Sequence, residues 1–441
     1  MDELADLDAL CARLAASSLL RGREVATLAP TDPPPIDLPA ALARALATPN
    51  GAPPLRELAR DRRSVAIITS DATRATPSAA LIGPVMAELA AGGVSPEQVD
   101  VVIGVGAHRP ATPEEIRRLL GADWADRLRV TNHDARADDV VQLGYTTTGT
   151  PLRVNRIVAQ ADLRIAFGQV EPHEFAGFTG GRKAILPSVS SYETVVRNHA
   201  LPMLLAATAR PGVLDGNPIH EEMVAAARLA RLDFIVNVAL DRASRPIAVA
   251  AGDMDQAHRE LVAFLRRHFD VARPDRPVQI VVTGVGEPLD INLYQAVKAL
   301  IGIEPLLDAP RGDAPAPVVV LLARCWDGAG STEMFEPFEH ARRRLAESAA
   351  TTAPSAEALS AAVVEHLESR YTIEMDEAYF IARVTPKCGA VIAVCPGVPE
   401  DRLRLLGWEV AADADAALVR ALEMSDEMAR AGRRAQRALF V

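Results

Sequence analysis

The chain has 441 residues, 49% of them hydrophobic and 24% charged, with a net charge of −11 at neutral pH. That composition excludes a disordered chain, and at about 150 residues per domain it leads us to expect roughly two or three domains with sizeable cores. The acidic balance argues against general binding of nucleic acid or an anionic membrane; the start, MDELADLDAL, is acidic where a secretion signal is basic, and no apolar run is long enough to span a bilayer.

The cysteines (Cys11, Cys325, Cys388 and Cys395) form no CxxC pair. This predicts a reduced, cytoplasmic protein without a cysteine zinc site. Lysine is scarce: of 47 cationic residues only Lys183, Lys298 and Lys387 are lysines. A lysine amine can lose its proton and act as a nucleophile, whereas a guanidinium practically cannot. The surroundings of each lysine are therefore informative.

In chain order, a helix is expected over about Asp2–Leu20, followed by a proline-rich connector, Thr31–Pro39, and a second helix. From Ser64 the pattern becomes β-α-β. Ser64–Ser70 is an apolar run of buried-strand length, followed by DATRATP and a helix opening at Thr76-Pro77. A second strand, Val99–Val105, leads through GAHRPA into a helix that starts with the capping box Thr112-Pro113-Glu114-Glu115. A third strand, Leu163–Val170, runs into EPHEFAGFTGGRKAILP. Buried strands alternating with capped helices predict an α/β fold with a parallel, doubly wound sheet. In such a sheet ligands sit beyond the carboxyl ends of the strands, where all three loops fall.

The polar link ARPDRP (Ala272–Pro277) precedes a smaller α/β domain, with Pro317–Cys325 as one of its strands. We therefore expect an N-terminal domain over 1–272, a C-terminal domain over 277–390, and a last stretch, about 395–441, able to complete either one. A C-terminal helix is expected from about Asp413.

Four segments hold residues suited to chemistry. In the first, Arg74 can grip a carboxylate or phosphate bidentately beside a helix start that favours an anion. In the second, Gly104 and Gly106 make only part of a dinucleotide fingerprint and Pro110 interrupts it, while His108 sits at the loop mouth. The third is Glu171–Lys183, where glycines and Thr179 surround a lysine. A P-loop needs G-K-[ST], but Arg182 precedes Lys183 and Ala184 follows it, so a Walker ATPase is rejected. A glycine loop delivering an amine suggests covalent attachment or a Schiff base. His199 follows at the end of a predicted helix, and His108, His173 and His199 match no zinc spacing. In the fourth segment Gln295 and Lys298, three apart, share a helix face beside Tyr294, a pair that suits a carboxylate.

Together, DATRATP, GAHRPAT, EPHxFAGFTGGRKAILP, RNHA and PLDINLYQAVK resemble the nickel-pincer lactate racemase family over roughly residues 40–420. The weaker GNPIHEEM and AGDMDQAH segments agree. The resemblance implies two domains with the site in the cleft between them. It implies nickel held by pyridinium-3-thioamide-5-thiocarboxylic acid mononucleotide, and hence cofactor-synthesis enzymes as partners. By position, Lys183 matches the lysine that links to this cofactor and His199 the histidine that completes nickel coordination. His108 and His173 match the two acid/bases. Arg74, Gln295 and Lys298 match residues around the carboxylate of a 2-hydroxy acid. Asp71 and Tyr294 match positions near cofactor and substrate, and Thr73 one beside the cofactor phosphate.

The implied reaction is inversion at C2 of a 2-hydroxy acid by hydride transfer through a 2-keto acid. A non-catalytic carrier or sensor of the cofactor or of a hydroxy acid is the alternative; a carrier would need Lys183 and His199 but neither His108 nor His173. A NAD-dependent dehydrogenase would need a complete fingerprint and an acidic ribose partner, which the chain lacks. One segment departs from the family: where members carry a tryptophan against the substrate, YTIEMDEAYFIARV has none, and Asp376 aligns there. This leaves the cofactor residues intact and sets lactate apart from them as an open assignment.

Overall fold

Strand-forming runs rich in Val and Ile assemble two separate six-stranded sheets, one parallel and one parallel but for an edge strand, in the computed structural model. It describes residues 2–28, 33–72, 74–106, 109–269, 274, 276–309, 312, 314–348, 354–432 and 437–440. The chain divides into two units, one made of residues 30–270 and the other of 1–29 with 271–441.

In the 30–270 unit the sheet order is Pro246–Gly252, Phe234–Leu240, Leu163–Gln169, Val65–Ser70, Val99–Gly104, Arg129–Asn132. Every neighbouring pair is parallel except Phe234–Leu240 with Pro246–Gly252. Val65, Ile67, Val101, Ile103, Ile165 and Phe167 pack with Leu81, Val85 and Leu89 of the helix Ser78–Ala91. Both faces of such a sheet are covered, which is why its strands read as continuous apolar runs. The chain starts in mid-sheet at Val65–Ser70, moves outward to Arg129–Asn132, and returns on the other side with Leu163–Gln169. The order thus reverses between Val65–Ser70 and Leu163–Gln169, and the loops that leave these two strands diverge around a crevice. The expected capping box is present: Glu115 N donates to Thr112 Oγ1 and Thr112 N to Glu115 Oε2.

The other sheet is parallel throughout, ordered Glu24–Thr27, Arg437–Phe440, Ile280–Gly284, Val318–Leu322, Ala390–Val394, Glu409–Val410. Its reversal lies between Ile280–Gly284 and Arg437–Phe440, so the loop after Gly284 leaves from the switch point. Among the described residues no helix is long and apolar enough to cross a membrane.

One boundary differs from expectation, and one left open is resolved. The N-terminal residues, expected within a 1–272 domain, belong to the other unit: Glu24–Thr27 pairs with Arg437–Phe440, and Leu4, Leu10, Leu14 and Leu20 are buried in its core. The 395–441 stretch lies there too, its helix Ala414–Gly432 packing Ala417, Leu418 and Ala421 into the same core as Val318 and Ile392. Periodicity shows that these segments have an apolar face; it does not show which sheet covers it. The predicted first helix is also shorter, spanning Leu7–Ala15 between 3₁₀ turns at Asp2–Ala5 and Ser18–Leu20, because Ser17 caps a new turn by accepting from Leu19 N.

Candidate active site

Both loops at the switch point of the 30–270 sheet carry expected residues, and the structure joins them. Asp71 directly follows Val65–Ser70 and is buried. Arg74 reaches across to Glu171, the first residue after Val170, with Nη1 3.3 Å from Oε1. Thr73 and His108 lie outside the described residues. Beside them, Gly106 N donates to Ser188 O at 3.0 Å, and Arg109 holds Glu115 at 2.7 Å, pulling that carboxyl down to about 2.

The glycine loop is built around a buried cation. Arg182 is among the largest fully buried side chains, and its guanidinium donates to Ala176 O (2.8 Å), Phe178 O (2.9 Å), Gly180 O (3.2 Å) and Thr179 O (3.3 Å). Burial pulls its pKa down to about 9, so it stays charged at neutral pH. His258 Nε2 is 2.8 Å from Thr179 O and 3.0 Å from Arg182 Nη1. Gly180 and Gly181 have φ of +78° and +53°, and a Cβ on Gly180 would lie 2.8 Å from Asn237 Oδ1. Two consecutive left-handed residues in that space require glycine. Asn237 Oδ1 then accepts from Gly181 N at 2.7 Å.

Lys183 leaves this loop on a short 3₁₀ turn, Gly181–Ala184. Its Nζ is 3.1 Å from His173 Nε2 and 5.7 Å from the Phe175 ring centroid. Phe175 meets the His173 and His199 rings edge-on, at 4.6 and 5.0 Å between centroids. His199 closes the helix Tyr192–Asn198, which Ser191 caps by accepting from Thr194 N. His199 Nδ1 donates to Val195 O at 3.1 Å, so the ring is pinned with its lone pair on Nε2. Burial, with the nearby Lys183 charge second, pushes its pKa down to about 3 and keeps it neutral. That is the form that binds metals. The preceding Asn198 anchors the helix end by donating to Glu222 Oε2 at 2.8 Å and Ile219 O at 3.3 Å. Among the described residues no group of three or more His, Cys, Asp and Glu side chains is placed to hold a metal.

In the other unit, the loop after Ile280–Gly284 turns into Leu293–Ala296, with Asn292 accepting from Gln295 N at 3.0 Å as the cap. The expected pairing holds: Lys298 Nζ donates to Gln295 Oε1 at 2.6 Å. Tyr294 OH donates to Asp376 Oδ1 at 2.7 Å, which brings a buried carboxylate from a distant helix to this turn. Backbone bonds from Leu293 N to Gly328 O and Tyr294 N to Ala329 O, both 3.0 Å, brace the turn from the next strand-end loop.

Sequence reasoning did not find Arg182, Asn237, His258, Asn198 or Glu222 as supports of the site. Only Arg182 carried a local signal, as the sole charged neighbour of Lys183 in a glycine loop.

The fold defines the class first: two doubly wound parallel α/β units, with candidate residues in strand-end loops. Within that class the sequence match is specific. Residues 16–212 match the lactate racemase N-terminal domain and residues 274–431 the lactate racemase C-terminal domain. The chain therefore belongs to the lactate racemase family. Lactate racemase of Lactiplantibacillus plantarum is 35% identical over 293 residues, covering 66% of this chain and 67% of that protein. Lactate racemase of Thermoanaerobacterium thermosaccharolyticum is 35% identical over 301 residues, 68% of each chain. The apoprotein structure of lactate racemase from the latter organism superposes with a TM-score of 0.78 at 28% identity, over 91% of this chain and 90% of that one. A Thermotoga maritima protein shares the fold, with a TM-score of 0.62 at 18% identity over 89% of this chain and 97% of that one.

Proposed function

We propose that this protein is a 2-hydroxyacid racemase or epimerase that uses a nickel-pincer nucleotide attached to Lys183. The observation that carries this reading is the pinned, neutral His199, which shares Phe175 with the amine of Lys183. One imidazole beside one amine fits a metal whose other ligands belong to an organic group bonded to that amine. Lys183 would form the bond through Nζ, and His199 would offer Nε2. One imidazole nitrogen together with donors from such a group would suit Ni(II).

Removing the C2 hydrogen as a proton is hard beside a carboxylate, and a general base contributes only about 10²–10⁴-fold. When bound, the cofactor supplies a hydride acceptor, which avoids that carbanion. The chain's residues then handle protons and position. His173 and His108 take the hydroxyl proton from one stereoisomer and return it to form the other. Arg74, Gln295 and Lys298 hold the substrate carboxylate, and Asp71, Thr73 and Tyr294 complete the surroundings. Lactate, the substrate in the relatives' names, is the first candidate. Asp376 beside Tyr294 disfavours a second carboxylate on the substrate and suits a hydroxylated side chain.

The test is protein made together with the cofactor-synthesis enzymes. A mass increase on Lys183, bound nickel, and inversion in a chiral screen of lactate, malate, phenyllactate and aldonates are expected. Absence of both mass increase and nickel would overturn the reading. His173→Ala should abolish turnover while nickel is retained; unchanged turnover would remove His173 from the mechanism.

A further inference from the structure

We propose that Glu174 is a positioning residue for His173: its carboxylate holds the ring proton on Nδ1, so that Nε2 is the atom exchanging a proton with substrate. This rests on the acid/base role proposed for His173. Glu174 occupies the position that the motif EPHxFAGFTGGRKAILP leaves open.

The argument starts from the two ring nitrogens. Among the described residues, Lys183 Nζ stands 3.1 Å from Nε2, and Glu174 Oε2 stands 3.2 Å from Nδ1. An ammonium has donors and no acceptor, so Nε2 must present its lone pair to it. The proton of the neutral ring is then on Nδ1, on the side of the carboxylate. The amides of Phe175 and Ala176 also point at Nδ1, at 3.5 and 3.4 Å, and would donate to its lone pair in the opposite tautomer. Those distances are at the limit of a hydrogen bond, whereas the carboxylate is nearer and charged. Phe175 packs against the ring at an interplanar angle of 80°, which opposes a ring flip that would exchange the nitrogens. The side chains of His173 and Glu174 are only 5% and 13% exposed, so solvent screens the pair weakly.

Covalent attachment sharpens this role. An acylated Nζ is no longer a cation, and the charge that holds the lone pair on Nε2 disappears. Glu174 then fixes the tautomer and keeps the ring basic enough to accept a hydroxyl proton. The arrangement has the logic of a histidine base oriented by a carboxylate on its other nitrogen.

The experiment has two arms. In unloaded Lys183→Met protein, which lacks the ammonium as the loaded protein does, ¹⁵N-detected NMR of the His173 ring should show the Nδ1–H tautomer. Adding Glu174→Gln or Glu174→Ala in that background should shift it toward Nε2–H and lower the His173 pKa by about one unit or more. In the loaded protein, Glu174→Gln should lower kcat about 10–100-fold with KM little changed. The mass on Lys183 and the nickel content should stay the same, and Glu174→Asp should restore part of the rate. An unchanged tautomer in both variants overturns the proposal, whatever happens to kcat, and so does an unchanged kcat. Wild-type protein that carries no modification and racemises nothing would instead overturn the proposed function, with the NMR arm still deciding what Glu174 does.

Discussion

The three lysines have three different environments. Lys183 faces an imidazole, Lys298 a side-chain amide, and Lys387 two carboxylates. Lys387, outside every motif, pairs with Glu304 at 2.7 Å and Asp308 at 2.6 Å, while Arg383 takes the second oxygen of the buried Glu304 at 2.7 Å. It neutralises a buried charge, which would be costly if left alone. The histidines divide in the same way. His220 and His258 are buried behind the glycine loop, outside the expected site. Burial, then the Arg182 charge, pushes His220 down to about 3 and His258 well below its ordinary value. Both are neutral when folded and accept protons near pH 6.5 when unfolded. Their stabilising effect is therefore complete above pH 6.5 and is lost as pH falls toward the folded values. Between pH 7.5 and 5.5, above the carboxylate range, each should cost about 1.4 kcal/mol. Urea unfolding of the unloaded protein at the two pH values reads this. His199 is held neutral in the same way, so His258→Gln should reduce the acid loss by about 1.4 kcal/mol, about a third of what the three rings contribute, and an equal loss in that variant would show that these rings are not responsible.

At the scale of the element, the loop 176–183 shows what a sequence can and cannot reveal. Its glycines and its lysine were legible, because left-handed backbone and a delivered amine leave local signatures. The fold class was legible too, because period and capping are local: the Thr112 box formed as expected. The supports of the loop come from far along the chain, Asn237 from 56 positions away and His258 from 76, and no local pattern announces such partners. Arg182 binds this loop as one planar donor to four carbonyls. A lysine ammonium is a point donor and cannot span them. Arg182→Lys should therefore lower stability by about 2–4 kcal/mol, the size expected when hydrogen bonds to a buried charge are lost. It should also reduce the modified fraction of Lys183. Wild-type urea stability in that variant would mean that the loop holds itself.

Across the whole molecule, the first 28 residues are the clearest case of a partner hidden from sequence. Their amphipathic pattern fits any sheet, yet Leu14 is fully buried in the core built on Ile280, Val318 and Ile392, and Glu24–Thr27 extends the same sheet through Arg437–Phe440. The two ends of the chain thus complete the unit that carries Gln295 and Lys298, while 30–270 is inserted between them. Leu14→Ala should cost about 2–5 kcal/mol, as expected for emptying a buried leucine site. The loss should be confined to one unit. Hydrogen exchange followed by mass spectrometry can resolve it, because local stability differs between cooperative units. Peptides covering Ile280–Gly284, Val318–Leu322 and Ala390–Val394 should exchange faster in the variant, and those covering Val65–Ser70 and Leu163–Gln169 at the wild-type rate. Faster exchange in the second set alone would assign the N-terminal helix to the other core; no change in either would mean that its burial contributes nothing to holding the sheet.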